Sequence, residues 1–390
     1  MTACPFHARH DADAPAVTRP TRTIVPVRAN ANANAEASLS ANTNTNTNTS
    51  TSTSTSTSTS IGASASADAV VVHNPAAEAL LAPLLDPALR MRPPGEPLPP
   101  PLRTQGGPLA EVFARWLRQR DDATHAPEKA ALSRALLALS DDDVRAHARR
   151  QAAIAARGGW SHWHWAVPAS TVASLLGLAM DDVDAQRRLH GRLRAMAAGL
   201  GAQAEDEAVR AGGEAVAALL AALDDAEHRA PDAPLQWTLL RHAAPPRWTD
   251  RATFTANRLA LIWQSHEAGA ALLGHALLEE GRTRGPRVGE APTREDLLRL
   301  AREGGAVRVT RRFDVRQTPP APVTVPLAGT DAPFGDGAHR CPGRGLALET
   351  SLAALQWLAE QPALRPPTAI APLALPNMDI PQFKDEELFP

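Results

Sequence analysis

Ala332-Pro-Phe-Gly-Asp-Gly-Ala-His-Arg-Cys-Pro-Gly-Arg-Gly-Leu-Ala-Leu-Glu349 is the stretch from which the rest of the chain can be read. A thiolate that is to hold a metal needs a loop that aims its sulfur. It also needs amide donors that stabilise its charge and room for what it binds. Gly335, Gly337 and Gly343 permit tight turns and a close backbone approach. Phe334 is placed to cover the sulfur of Cys341 and lower the local dielectric. Directly after Cys341 the spacing predicts an amphipathic helix over Gly343 to Glu360, so a helix N-terminus would face the sulfur and favour its anion. A glycine-rich loop around a merely structural cysteine is the plain alternative.

Working outward, the periodicity is helical for most of the chain. Helices are expected near Asn74–Arg90, over Glu111–Arg120 and Glu128–Leu139, and over Val144–Arg157 behind the cap-like Ser140-Asp-Asp-Asp143. Further helices are expected over Val167–Leu178, Asp181–Leu200, Glu205–Arg229 and Arg294–Arg302. Ala252–Glu280 is long and apolar on several faces, which predicts a buried central helix. Ala306–Val315 alternates loosely and suggests a strand pair, and Gln317–Pro333 reads as a proline-rich loop. After Gln361 the chain reads as irregular or in short strands. The sum is a mainly α protein with small β segments. Residues 1–68 are expected to form a disordered, low-complexity segment, because tracts such as Thr43–Ser60 offer almost no apolar area to offset the entropy of ordering. The folded domain is expected over residues 69–390.

Composition narrows the function classes. A net charge of -2 gives no basic excess for nucleic acid. No run of apolar residues is long enough to span a bilayer, and the first ten residues lack a signal-peptide core, so a cytoplasmic protein without a membrane span is expected. Two cysteines far apart, Cys4 and Cys341, are no disulfide framework. Trp160-Ser-His-Trp-His-Trp165 reads as aromatic packing near a helix start, not as a metal site.

The cysteine stretch resembles the haem-binding signature of the cytochrome P450 family: Phe, two residues, Gly, three residues, Cys, one residue, Gly. Phe334, Gly337, Cys341 and Gly343 fill its fixed positions. The resemblance covers about 300 residues, from near Ala69 to the C-terminus. It implies a cytochrome P450-like fold, with haem b between the long central helix and a proximal loop in which Cys341 is the axial ligand. It also implies that His339, His125, Lys129 and Arg308 hold the haem propionates. Asp296-Leu-Leu-Arg299 takes the place of the Glu-x-x-Arg pair that locks the proximal side. On the central helix Glu267 takes the place of the proton-relaying acid, and Ala268 with Gly269 would line the oxygen pocket.

The activity implied is that of a haem-thiolate monooxygenase. Such an enzyme inserts one oxygen atom from dioxygen into a small organic substrate, with electrons from a ferredoxin or flavodoxin docked on a basic patch of Arg311, Arg312, Arg340 and Arg344. Two departures bear on this. Neither Ala268 nor Gly269 is the threonine that usually relays protons, so a peroxide-driven or non-monooxygenase enzyme, or a haem protein without turnover, stays open. Only 18 residues separate Val315 from Phe334, a few dozen fewer than the family usually has.

Overall fold

Ser140 caps the helix behind it as its sequence predicts, its hydroxyl accepting the amides of Asp142 and Asp143. The computed structural model describes residues 75–283, 292–361 and 367–389. The readings made for residues 1–68 lie outside the described residues. In chain order the elements are α1 (Pro75–Leu85), β1 (Leu89–Arg90), α2 (Pro100–Gln105), α3 (Gly107–Arg115), α4 (His125–Leu137), α5 (Asp141–Ala155), α6 (Trp160–Leu175), α7 (Val183–Gly199), α8 (Asp206–Arg229), α9 (Pro234–His242), α10 (Arg251–Thr283), α11 (Arg294–Arg302), β2 (Val309–Asp314), β3 (Ala321–Pro326), α12 (Arg344–Ala359), β4 (Ala369–Leu375) and β5 (Met378–Phe383).

The proline-rich stretch expected to be loop contains β3. Its Val-Thr-Val pairs antiparallel with β2, Thr324 facing Arg311 and Val323 facing Arg312, and β1 joins the other edge of β2. The expected strand pair at 306–315 is therefore one central strand with partners from both sides. Its prolines stand at strand ends, where a missing N–H is tolerated. A second hairpin, β4–β5, forms near the C-terminus. From β3 the chain passes directly into the cysteine loop, so the shortening read in the sequence falls between sheet and loop.

The 33-residue α10 is the centre of the molecule. Phe254, Leu259, Ile262, Ala270, Leu273 and Leu277 are buried on several of its faces, as expected of a helix with neighbours all round. Against it lies α6, which buries Trp160, Trp163 and Trp165 with the aromatic packing expected of the Trp-Ser-His-Trp-His-Trp stretch. His162 meets Gln186 at 3.2 Å and His164 meets the carbonyl of Trp160 at 3.2 Å. Among the described residues no cluster of three metal-ligating side chains occurs, and no helix is long and apolar enough to cross a membrane.

Asp296 and Arg299, one helical turn apart, support each other electrostatically without a direct ion pair. Asp296 closes a capping box with Thr293 at the start of α11, accepting its amide at 2.8 Å, while Arg299 reaches Glu303 at 3.0 Å. One carboxylate at the third helical position serves its own helix end best, and that local partner wins. The tie across this side is Glu349 of α12, buried, which accepts from Arg145 of α5 at 3.1 Å and Arg294 of α11 at 2.7 Å.

Gly269 sits where α10 and α6 approach most closely. A Cβ there would lie 2.5 Å from Cβ of Pro168, a ring atom with no rotamer to yield. Gly269→Ala gains ~1 kcal/mol of helix propensity, but overpacking costs ~1–3 kcal/mol and at this separation reaches the upper end. The net loss should be about 1–2 kcal/mol, read as a lowered urea midpoint at unchanged slope. A midpoint equal to or above the parent's refutes this packing.

Candidate functional site

The cysteine loop is built by its own backbone. The amide of Cys341 donates to the carbonyl of Phe334 at 2.9 Å, closing a wide turn. Inside it Gly335 and Gly337 take φ of +72° and +61°, which a side chain would resist. At Gly337 a Cβ would also meet Cδ2 of Leu85 at 2.9 Å, so this glycine seats the loop on α1. The loop then runs through Gly343 into α12. Arg344 lies 5.7 Å from the ring centre of Phe334, which packs on the core beneath.

Cys341 is exposed, and yet burial pushes its thiol up, against the opposing pull of the Gly343 amide, Lys129 and Arg118. Both are true of a sulfur that looks onto an internal slot: its surface is open, but protein surrounds it.

Beside the sulfur is a polar corner. His339 Nε2 meets Asp121 Oδ1 at 2.7 Å, and Asp121 also accepts the Met91 amide at 2.8 Å. His125, at the start of α4, stacks on His339 with ring centres 4.6 Å apart. Burial, helped by His339 and Lys129, pushes His125 down to about 4, and its buried Nε2 has no partner. One turn on, Lys129 donates to the carbonyl of Ala338 in the cysteine loop. Burial pulls its ammonium down to about 8, against the favourable charge of Cys341. The structure thus brings together His125, Lys129, Phe334, Gly337, His339, Cys341 and Gly343.

Arg308 is placed elsewhere. It pairs with Asp379 of β5 at 2.8 Å and its side chain is 43% exposed. The strand's cation in the corner is Arg312, 3% exposed, its charge disfavoured by burial and supported by Asp121. Alternation along β2 puts positions 308 and 312 on one side of the strand, so the parity was legible, but which of the two meets α4 depends on how the strand is docked.

On α10, Glu267 and Ala268 are half-buried. Burial raises the pKa of Glu267 and Arg118 opposes that rise. Gly269 is committed to Pro168 and does not belong with them. Ser265 donates to the carbonyl of Ile262 at 2.7 Å, and His266 is buried against His190, with 2.8 Å between ring nitrogens. The turn 265–269 therefore holds a carboxyl but no free hydroxyl.

Arg118 and Asp121 were not expected from sequence. Arg118 falls in the helix expected over Glu111–Arg120, but α3 ends at Arg115, and neither its spacing nor that of Asp121 in the segment before α4 signals a site. That segment is bolted to α10: Leu117 donates its amide to Asn257 Oδ1 at 3.0 Å, Asn257 donates to the carbonyl of Arg115 at 2.9 Å, and Trp116 stacks on Trp263 with ring centres 4.7 Å apart. The charge on Arg118 is disfavoured by burial and supported by Cys341 and then Glu267, so the guanidinium lies between cysteine loop and central helix.

The donor set suits a haem. An open thiol at a helix start offers an axial ligand, and the ring's acid arms would find Lys129, Arg312 and the unpartnered Nε2 of His125. Desolvated cations lacking an anion, beside an orphaned ring nitrogen, ask for bound carboxylates.

No family model matches the chain, and no curated protein matches it by sequence. Solved structures do match in fold. A myxobacterial cytochrome P450 bound to myristic acid, CYP267B1, is 20% identical, with a TM-score of 0.60 over 78% of this chain and 87% of that one. Cytochrome P450epoK bound to epothilone B is 16% identical, with a TM-score of 0.59 over 80% and 88%. P450BioI in complex with an acyl carrier protein carrying hexadec-9Z-enoic acid is 15% identical, with a TM-score of 0.59 over 79% and 89%. The fold is that of the cytochromes P450.

The corner makes haem uptake pH-dependent. An acid arm favours protonated Lys129, and the free protein loses that proton as pH rises through about 8. The Lys129 contribution to haem affinity should therefore be full below pH 8 and fall above it, by up to about tenfold per pH unit, superimposed on the gain from deprotonating Cys341. Haem-transfer measurements on the parent protein and Lys129→Gln check this: their ratio should be constant below pH 8 and shrink above it.

Proposed function

We propose that this chain is a haem-thiolate monooxygenase, a cytoplasmic enzyme that inserts one atom of dioxygen into a small organic substrate. The observation that carries the reading is Cys341: an accessible sulfur at the start of α12, held by a closed backbone loop, with the cation corner beside it. The haem b that the site suits would supply dioxygen activation, with the thiolate favouring O–O cleavage.

The chain's own residues have distinct tasks in this reading. The Gly343 amide and Lys129 favour the sulfur's anion. His125, Lys129, His339 and Arg312 orient the cofactor through its acid arms, and Asp121 holds His339 in place. Glu267, its pKa raised by burial, keeps a proton available at its carboxyl on the central helix. Ala268 leaves space beside it. Arg340 and Arg311 are exposed and, with Arg344, offer an acidic ferredoxin or flavodoxin a landing surface near the cysteine loop.

The reduced, carbon-monoxide-treated protein should show the red-shifted Soret band of thiolate ligation, and Cys341→His should replace it with the band of an imidazole-ligated haem. A parent protein that takes up haem but shows the imidazole-type band defeats the assignment.

A second reading is favoured by the missing hydroxyl on turn 265–269: oxidation driven by hydrogen peroxide, which bypasses reductive oxygen activation. With a ferredoxin–reductase pair and a substrate found by spectral shift, most electrons should then appear as peroxide, and added peroxide should give more product. Ala268→Thr should raise the share of electrons recovered as product several-fold. Tight coupling in the parent protein would count against the peroxide route.

A further inference from the structure

Between Trp116 and Asp121 the chain crosses from the central helix to the cysteine loop. Its near end is fixed to α10 by the Trp116–Trp263 stack and by Asn257; its far end is fixed to His339 by Asp121. Trp116 and Leu117 point into the core, at 0% and 6% exposure. Arg118, between these anchors, does not. Its side chain is accessible and, among the described residues, makes no hydrogen bond and no ion pair. The stacked indoles next to it each carry a buried N–H without an acceptor, at Trp116 Nε1 and Trp263 Nε1.

A guanidinium cannot shed its charge as an ammonium can, so one that faces the site without a partner invites an anion. Glu267 lies within electrostatic reach but forms no ion pair with it. Two acid arms on a haem are already matched by two other cations, Lys129 and Arg312. Arg118 is therefore in excess, and its planar fork suits two oxygens of one carboxylate.

We propose that Arg118 anchors a carboxylate of the substrate, so that the enzyme acts on organic acids whose apolar part extends along the central helix. The proposal rests on the haem-thiolate reading and assigns that site its substrate class. Held by its acid group at Arg118, a substrate presents a carbon remote from that group to the reaction centre.

The test uses the full haem-loaded chain and matched probes: straight-chain acids from hexanoic to hexadecanoic, arylacetic acids, and the methyl ester of each. Binding is read by the shift of the Soret band. At least one acid should bind about tenfold or more tightly than its ester, as expected of a charge-assisted bidentate pair. Arg118→Gln should abolish that preference, Arg118→Lys should retain part of it, and neither should change the rate of haem transfer to apomyoglobin. Equal binding of acids and esters by the parent protein, or no binding of any acid, overturns the proposal. Faster haem loss in Arg118→Gln with the acid preference intact also overturns it and assigns the guanidinium to a haem propionate. If the parent protein lacks the thiolate carbon-monoxide band, both readings fall; if the band is present and the preference absent, only this one does.

Discussion

The amide of Cys341 bonded to the carbonyl of Phe334 is the constraint on which the site depends. It closes the loop, fixes where the sulfur points, and delivers the chain into α12 at the right place for that helix's first amides to face the thiol. Two glycines in the left-handed region make the loop tight enough, and α1 presses on Gly337 where any Cβ would collide. The sulfur then stands open on an interior surface, a costly arrangement unless something large and flat is bound there.

Charge is distributed around that slot in the same spirit. His125 and Arg312 are buried, Lys129 is half-buried and Arg118 is accessible, and desolvation is the main influence depressing each. Proteins avoid burying cations without partners because desolvation exceeds what distant charges return. Here Asp121 answers His339, and nothing comparable answers the rest. In the proposed reading, carboxylates bound at this corner would complete the ion pairs that the chain leaves open.

Opposite demands shape the central helix. Gly269 allows α10 to touch Pro168 of α6, while Ala268, one residue before it, is half-buried on another face. His266, buried on a third face against His190 and Trp165, is part of the core and not of the chemistry.

The sequence by itself determined the helices, the cysteine loop and its likeness to a known signature, because periodicity, capping residues and glycines act over a few neighbouring positions. His125 and Lys129, one turn apart on a helix, were legible for the same reason. Tertiary structure decided what local pattern leaves open. It buried Arg312 near Asp121 and paired Arg308 with Asp379, a difference that strand parity does not decide and docking does. It turned Asp296 to its own helix end, because an amide without a partner at the first turn accepts a carboxylate at the third helical position. It placed Gly269 against α6, and it brought Arg118 and Asp121 to the site by ending at Arg115 the helix that periodicity carries to Arg120. Those outcomes depend on which surfaces meet, and that is set only when the whole core packs.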